Sequence, residues 1–371
     1  MAIAFPTAAT VGEKYIENEK IWEWNGTAWN KMPAGDVLSS DSAPSLPFDG
    51  QLWIDTDSGG AYYYDSNNGW LQLVSGAVNN PAITINHAMI IGSSSAPQTA
   101  TQLYNIQADS IANNGLMLSN RVYSVSGSDY YNALVIWGQT NTNIERKSIQ
   151  SNADAVVVAQ ADINNMSTDA AGAGNNNSLI VNKAFDMTNI SGTQLFRYSH
   201  SNGTEYTHGN LQVRRSYATA TANYTDVLFI SGSRDTTFWL NSVEKCQIVA
   251  NNTAVMLPNI SNARTRGTAV NDFDNVIYCY GADTGGPPTN NFTKMNFAAE
   301  SQQDFVPTGA IARKSVQGVA NDTDGLFFGG RDTNSTRISD VAKINFDSLS
   351  FQASVGSLLD AVSNHTATYG N

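Results

Sequence analysis

Cysteine, histidine and charge are what this 371-residue chain has least of: two Cys, four His and 14% charged residues. Two thiols, Cys246 and Cys279, cannot build a disulfide framework. His87, His200, His208 and His365 show no metal-ligand spacing, although His200 and His208 fall in one repeat unit, so no metal is expected. Cations are the scarcer charge, 20 Lys and Arg against 32 Asp and Glu. The resulting net charge of −12 repels phosphate backbones and anionic lipid headgroups, which argues against nucleic acid and membrane as partners. No run approaches the roughly 18 apolar residues of a spanning helix. The opening MAIAFPTAAT has neither a basic n-region nor an apolar h-region, so a soluble chain without a cleaved signal is expected. Apolar residues spaced three and four apart are also missing, because Gly, Asn and Asp interrupt every ten or so residues. Nucleophile-elbow, P-loop and dinucleotide fingerprints are absent, and neither a catalytic residue nor a cofactor is expected.

What is present is apolar bulk and repetition. Hydrophobic residues make up 41% of the chain, with 15 Tyr, 14 Phe and 7 Trp, and short β-branched or aromatic runs between the breaks read as strands. Two repeat systems emerge. In the first, Pro6 through Tyr15 leads into Trp22-Glu23-Trp24-Asn25-Gly26-Thr27-Ala28-Trp29, and Pro47 through Trp53 leads into Tyr62-Tyr63-Tyr64 and Trp70 in the same order. Tyr15 answers Trp53, Trp22 and Trp24 answer Tyr62 and Tyr64, and Trp29 answers Trp70. These are two copies of one hairpin unit, at 1–33 and 46–75, with 34–45 read as the linker between them and 76–82 as a second linker. Such small modules lean on large aromatics because they have little else to bury.

The second system decides the fold class. Short apolar runs ending at positions 92, 138, 183, 232, 281 and 330 are 45 to 49 residues apart. Each unit reads as strand, Asn/Asp turn, apolar strand, polar loop, alternating strand, turn and final strand, which is one four-stranded antiparallel blade. The prediction is an all-β protein with a six-bladed β-propeller over 83–371. Its blade units span about 83–118, 119–166, 167–213, 214–262, 263–311 and 312–360. The first unit lacks its opening strand, whereas residues 361–371 align with the opening strands at 263 and 312 and then the chain ends. That surplus segment is expected to complete the first blade and close the ring, leaving no exposed edge.

In period and strand order the repeats resemble the kelch family of β-propellers, with Gly329-Gly330 keeping that family's double glycine. Members of that family commonly close their ring with a C-terminal strand. The N-terminal copies, Phe5-Pro6 through Trp29 and Gly50 through Asp57, are similar to modules that open structural proteins of tailed bacteriophages, notably marine ones. Together the two resemblances imply a virion protein and not an enzyme. It would be a tail fibre or tail-associated appendage, with a head-decoration protein as the close alternative. Residues Trp22, Trp24, Trp29, Trp53 and Trp70 would serve attachment to the particle. The partners so implied are other virion proteins, further copies of the chain and a host surface polysaccharide.

Individual motifs have competing readings. Asp55-Thr56-Asp57-Ser58-Gly59-Gly60 resembles the start of a calcium loop, but Ser66 stands where an EF-hand needs its bidentate acid, so a hairpin turn is preferred. Gly-x-Asp-Thr recurs at Gly281 and Gly330, and with one residue more at Gly232, as a structural Asx turn would and a catalytic residue would not. Arg234 and Arg331 either pair with the adjacent Asp or grip a ligand carboxylate. Trp239 and Asn290 lie in loops that break the repeat, where Trp239 either stacks on a sugar ring or joins the core. A propeller-based carbohydrate-active enzyme and a free glycan-binding adhesin are the rival functions.

Overall fold

The computed structural model describes residues 10–11, 13–17, 20–31, 38–40, 43–44, 51–55, 61–65, 69–74, 87–92, 99–121, 124–129, 131–136, 143–160, 170–182, 193–235, 238–272, 274–283, 286–297, 301–363 and 365–370. Among these every regular element is a β-strand, and the chain divides into two compact units, Met1–Thr84 and Ile85–Asn371.

In the first unit, β1 (Lys14–Glu17), β2 (Lys20–Trp24) and β3 (Trp29–Lys31) form an antiparallel sheet. The Asn25 side chain closes the β2–β3 turn by accepting from the amides of Thr27 and Ala28, both at 2.9 Å, and Gly26 takes a left-handed φ of 98°. A second sheet contains β4 (Leu38–Ser40), β5 (Leu52–Asp55), β6 (Ala61–Asp65) and β7 (Gly69–Val74). The two sheets repeat each other in register. Tyr15 faces Trp22 as Trp53 faces Tyr62, and Trp24 faces Trp29 as Tyr64 faces Trp70. Ring contacts repeat as well: Tyr15–Trp29 at 5.9 Å matches Trp53–Trp70 at 5.5 Å, and Trp24–Trp29 at 5.7 Å matches Tyr64–Trp70 at 5.3 Å. One difference separates them. Within the stretch read as linker, β4 pairs in parallel with β5, and the Trp53 indole N–H donates to the Ser40 hydroxyl at 2.9 Å. Trp53 is buried, so its polar edge needs that partner.

The second unit is a six-bladed β-propeller. Blade 1 contains β8 (His87–Ile91), β9 (Ala100–Asn105) and β10 (Ser110–Leu116). Blade 2 contains β11 (Val125–Ser128), β12 (Asn132–Ile136), β13 (Asn143–Ser148) and β14 (Val156–Gln160). Blade 3 contains β15 (Gly172–Asn175), β16 (Ser178–Asn182), β17 (Gln194–Ser199) and β18 (Glu205–Asn210). Blade 4 contains β19 (Thr219–Ala222), β20 (Asp226–Ile230), β21 (Val243–Gln247) and β22 (Val255–Leu257). Blade 5 contains β24 (Thr268–Asn271), β25 (Asn275–Cys279), β27 (Phe292–Asn296) and β28 (Gln302–Phe305), and carries a two-residue side pairing of β23 (Arg264–Thr265) with β26 (Ala282–Asp283). Blade 6 contains β29 (Gln317–Ala320), β30 (Asp324–Phe328), β31 (Ile338–Asn345) and β32 (Phe351–Val362).

The second strand of every blade shows why the circle forms. Its side chains alternate between two neighbouring cores, so both faces are apolar and the strand reads as a continuous hydrophobic run. Val227 and Phe229 of β20 pack with blade 3, while Leu228 and Ile230 pack with blade 5. The same division holds for Ala88 and Ile90 against Met89 and Ile91 in β8, and for Leu179 and Val181 against Ile180 in β16. Six apolar cores result, one at each seam between adjacent blades.

The last seam is closed by β33 (Thr366–Gly370), which pairs antiparallel with β8, Thr368 facing Met89. The sheet order β10-β9-β8-β33 gives blade 1 the inner strand its own segment lacks. Inner strands then touch in an unbroken circuit, β33 against β11 on one side and β29 on the other. The strand is shorter than the segment 361–371, because Ala361 and Val362 complete the long outer strand β32. Register also shifts two of the alignments. In the run read as ending at 183, Leu179 faces the preceding core as Val227 does, one position off the alignment with 232. Gly92 matches Ser231, Tyr280 and Gly329, not Gly232, since each of these four amides donates to the strand that follows. Aligning by the terminal glycine placed it one residue late, whereas the faces of β8 toward its two cores fix the true register.

Ordering five residues costs about 1–2 kcal/mol each. The blade 6–blade 1 core holds eight buried Ile, Leu, Val or Phe side chains, each worth about 1.5–3 kcal/mol when fully buried. Ending the chain at Ser363 should therefore leave β8 as an open edge and abolish the single cooperative melt. Calorimetry with light scattering checks this, and an unchanged transition would refute closure by β33.

Candidate functional site

The loops joining second to third strands bring the sequence-predicted site residues to one end of the propeller: Arg234 and Trp239 on blade 4, Asn290 on blade 5 and Arg331 on blade 6. Their backbone is set by a repeated turn. Ser231-Gly232, Tyr280-Gly281 and Gly329-Gly330 are left-handed pairs, with φ of 61° and 99°, 61° and 100°, and 58° and 99°. The second position must be glycine, since a Cβ on Gly232 or Gly281 would stand 2.7 Å from a backbone oxygen. Its amide reaches across the seam: Gly232 donates to the Arg264 carbonyl, Gly281 to that of Arg313 and Gly330 to that of Val362, at 2.8–2.9 Å. The loops of blades 4 and 5 thereby grip the segments that open the following blades, and that of blade 6 grips the end of β32, from which the chain runs on to β33.

Those opening segments carry arginines whose side chains turn inward. Arg121, Arg215, Arg264 and Arg313 are all buried. In blade 2 the Arg121 guanidinium lies 2.8 Å from Glu145, whose other oxygen accepts from the Leu118 amide at 2.9 Å. Blade 4 repeats this with Arg215 on Glu244, which accepts from the amides of Gln212 and Val213. Arg215 donates further to the carbonyls of Phe229, Ser231 and Ser242. Arg264 instead donates to Thr293 Oγ1 at 2.9 Å, and that hydroxyl donates to Asp304 at 2.7 Å, while the guanidinium stacks over Tyr278. Arg313 approaches Asp340 at 3.8 Å. Burial pushes the pKa of Arg121 and Arg215 down, and the partner glutamate opposes that. The spacing of 49 between Arg215, Arg264 and Arg313 is a readable signal for this frame in the sequence.

The singled-out residues differ in what they do. Arg234 stacks over Phe238 at 4.7 Å and lies 3.8 Å from Asp235. Trp239 is half-buried and its backbone bridges Ser233. The Asn290 amide donates to the Ala310 carbonyl at 3.0 Å, and Arg331 Nε donates to Ser363 Oγ at 3.2 Å. Asp235 accepts from the Phe238 amide and Asp332 from those of Asn334 and Thr336, which is turn chemistry. Thr56 to Gly60, the core of the proposed cation loop, lie outside the described residues.

No acid–base or nucleophilic constellation assembles among the described residues. Burial pushes the Cys246 thiol up to about 12 and Cys279 well above its ordinary value, so both stay protonated. Burial also depresses His200 to about 4 and His365 to about 3. His208 meets the Gln247 carbonyl at 2.7 Å, and no group of metal-ligating side chains occurs among the described residues. Along the axis the inner strands enclose a cavity of about 90 Å³, lined by small or neutral residues such as Ser126, Gly174, Thr221, Asn271, Ala320 and Thr368. This lining offers hydrogen bonds but no charge.

Two outcomes follow from the buried groups. Glu244→Ala strands the Arg215 guanidinium and two amides, and should cost about 3–5 kcal/mol in denaturant unfolding, with Glu244→Gln recovering part of it. His365 has a folded pKa below its unfolded value of 6.5, so the unfolded state takes up the proton first as pH falls. Its share of stability is intact above pH 6.5 and is lost downward toward about pH 3, at about 1.4 kcal/mol per pH unit. His365→Phe should therefore flatten the fall of melting temperature between neutral and acid pH.

No family model matches the chain, and no curated protein matches it.

Proposed function

We propose that the chain is a structural and adhesive protein of a tailed-phage particle, a tail fibre or tail-associated appendage. It attaches through its N-terminal modules and offers the propeller to other virion proteins or to a host glycan. The carrying observation is the division of labour between two units: duplicated aromatic hairpins in Met1–Thr84, and in Ile85–Asn371 a ring whose repeated polar residues serve turns and seams. The tryptophans at 22, 24, 29, 53 and 70 are the attachment candidates, since Trp24 and Trp29 meet at a tilt of 51° beside exposed turn residues. Kelch-like blades belong to the same reading. The left-handed pairs at 231–232, 280–281 and 329–330 occupy the place of that family's double glycine, with Ser and Tyr tolerated at its first position.

A rigid ring suits this mechanical role. Its blade seams are apolar cores stitched by amide-to-carbonyl bonds, so load on one loop is shared with the next blade. A fragment covering 85–371 should stay folded and monodisperse by calorimetry and light scattering yet fail to join the particle. Cryo-EM of the intact particle locates the full chain. Its absence from the particle would reject the reading, and its position distinguishes tail from head.

A further inference from the structure

Blade 6 differs from its neighbours at one backbone ladder. On the loop face, Lys314 bridges Arg331, and Arg331 in turn bridges Arg337. Directly opposed residues of antiparallel strands project to the same side, so three cations stand in a row, and the opposed pair Lys314 and Arg331 is destabilising when nothing neutralises it. Arg266 adjoins the row from blade 5: its carbonyl accepts from the Ser315 amide at 2.9 Å, and its guanidinium lies over the Tyr217 ring at 4.4 Å, near enough to Lys314 to depress that ammonium. Among the described residues no carboxylate lies within 4.0 Å of the Arg266, Lys314 or Arg331 side chains. Burial and then the guanidinium groups of Arg266 and Arg331 hold the Lys314 ammonium below its ordinary pKa.

The repeat supplies an internal control. At the same ladder blade 4 carries Ser216, Ser233 and Trp239, and blade 5 carries Thr265, Ala282 and Pro288, bridged in the same order. The fold closes this ladder with neutral residues twice, so the cations of blade 6 are not needed for it. They also stand in a chain of net charge −12, where 20 basic residues are available in total. The carbonyl of Gly286 holds Lys314 Nζ at 3.1 Å and Ser363 Oγ accepts from Arg331 Nε at 3.2 Å, which fixes both side chains without cancelling either charge.

The geometry points to an anion-binding site formed by Lys314, Arg331, Arg337 and Arg266, whose ligand is the carboxylate or sulfate of an acidic saccharide. Guanidinium forks and an ammonium carried on bridged neighbouring residues suit such oxyanions, which charge-assisted hydrogen bonds would hold. The choice of a saccharide rests on the host-glycan part of the proposed function; the anion site itself does not.

The test uses the full chain and three probes of equal length in calorimetric titration: an oligogalacturonate, a sulfated galactan oligosaccharide and a neutral maltooligosaccharide. At least one acidic probe should bind saturably and the neutral one should not. Arg331→Ser and Lys314→Ser, which install what blade 4 carries, should each weaken binding about tenfold. Lys314→Ser should melt at or above the wild-type temperature without ligand, as relief of like-charge repulsion requires. Equal binding of acidic and neutral probes, no binding of either acidic probe, unchanged affinity in both variants, or a clear drop in melting for Lys314→Ser would each overturn the inference. A chain located in the particle that binds neither acidic probe leaves the virion reading standing and removes this site. Binding by a chain found outside any particle does the reverse.

Discussion

The structure depends on strands that are apolar on both faces. A second strand such as β20 or β25 cannot rest on one neighbour, because half its side chains would then face water. Each blade therefore needs a blade on either side, and the need ends only when the row becomes a circle. Six such strands close six cores, and the last core is shared between residues more than 200 positions apart, Ala88 and Ile90 with Leu326 and Phe328. The short β33 is held because it lies over a preformed blade: its Ala367 packs against that core, and the Ala367 carbonyl accepts from Ser126 Oγ of blade 2.

Once the circle is apolar at its seams, the polar groups at its rims need partners. The glycine amides and the inward arginines supply them by different means in different blades. Blades 2 and 4 use a buried Arg–Glu pair, blade 5 an Arg–Thr–Asp chain and blade 6 an Arg near Asp340. Blade 1 puts Gln102 where Glu145 and Glu244 stand, and its side chain accepts from the Leu359 amide of blade 6. Blade 3 uses Asn182, whose amide group donates to the Arg215 carbonyl while its oxygen accepts from Ala171. The partner changes in residue type and in place from blade to blade, since Phe196 and Ala342 stand where blades 2 and 4 have glutamate, so the requirement is a satisfied rim and not a particular residue.

Period, blade number and closure were legible in the sequence because they are set by one-dimensional quantities: the spacing of apolar runs, a missing strand at one end and an extra one at the other. The duplicated hairpins were legible for the same reason. What escaped was pairing that leaves no mark on the spacing of the strands. The parallel strand β4 lies in a Ser- and Gly-rich stretch with no strand signature, and forms because Ser40 satisfies the buried indole of Trp53. Glycine alignment misplaced Gly92 because terminal residues carry no face, whereas the alternation inside β8 does. Arg234 and Arg331 stand out by type beside a recurring turn, and Trp239 and Asn290 by lying where the repeat breaks, signals that do not rank the four. The row Lys314, Arg331 and Arg337 has no sequence pattern at all, since its members meet only when two loop ladders form side by side.

Repetition gives a criterion for separating frame from function in such a ring. Residues present at the same place in several blades, such as the left-handed glycine of blades 4, 5 and 6, belong to the frame; residues present once, where blades 4 and 5 do without them, need another reason. By that criterion the cationic row stands out from the repeated Asp of the Gly-x-Asp-Thr turns. Its setting also shapes how it would work. A net charge of −12 repels an acidic chain at long range, while the row attracts it at contact. At physiological salt the Debye length is about 8 Å, so the distant acids are screened more than the groups touching the ligand. Recognition then depends on close fit of one anionic group against the blade 6 ladder, and a polyanion without that fit is turned away by the rest of the surface.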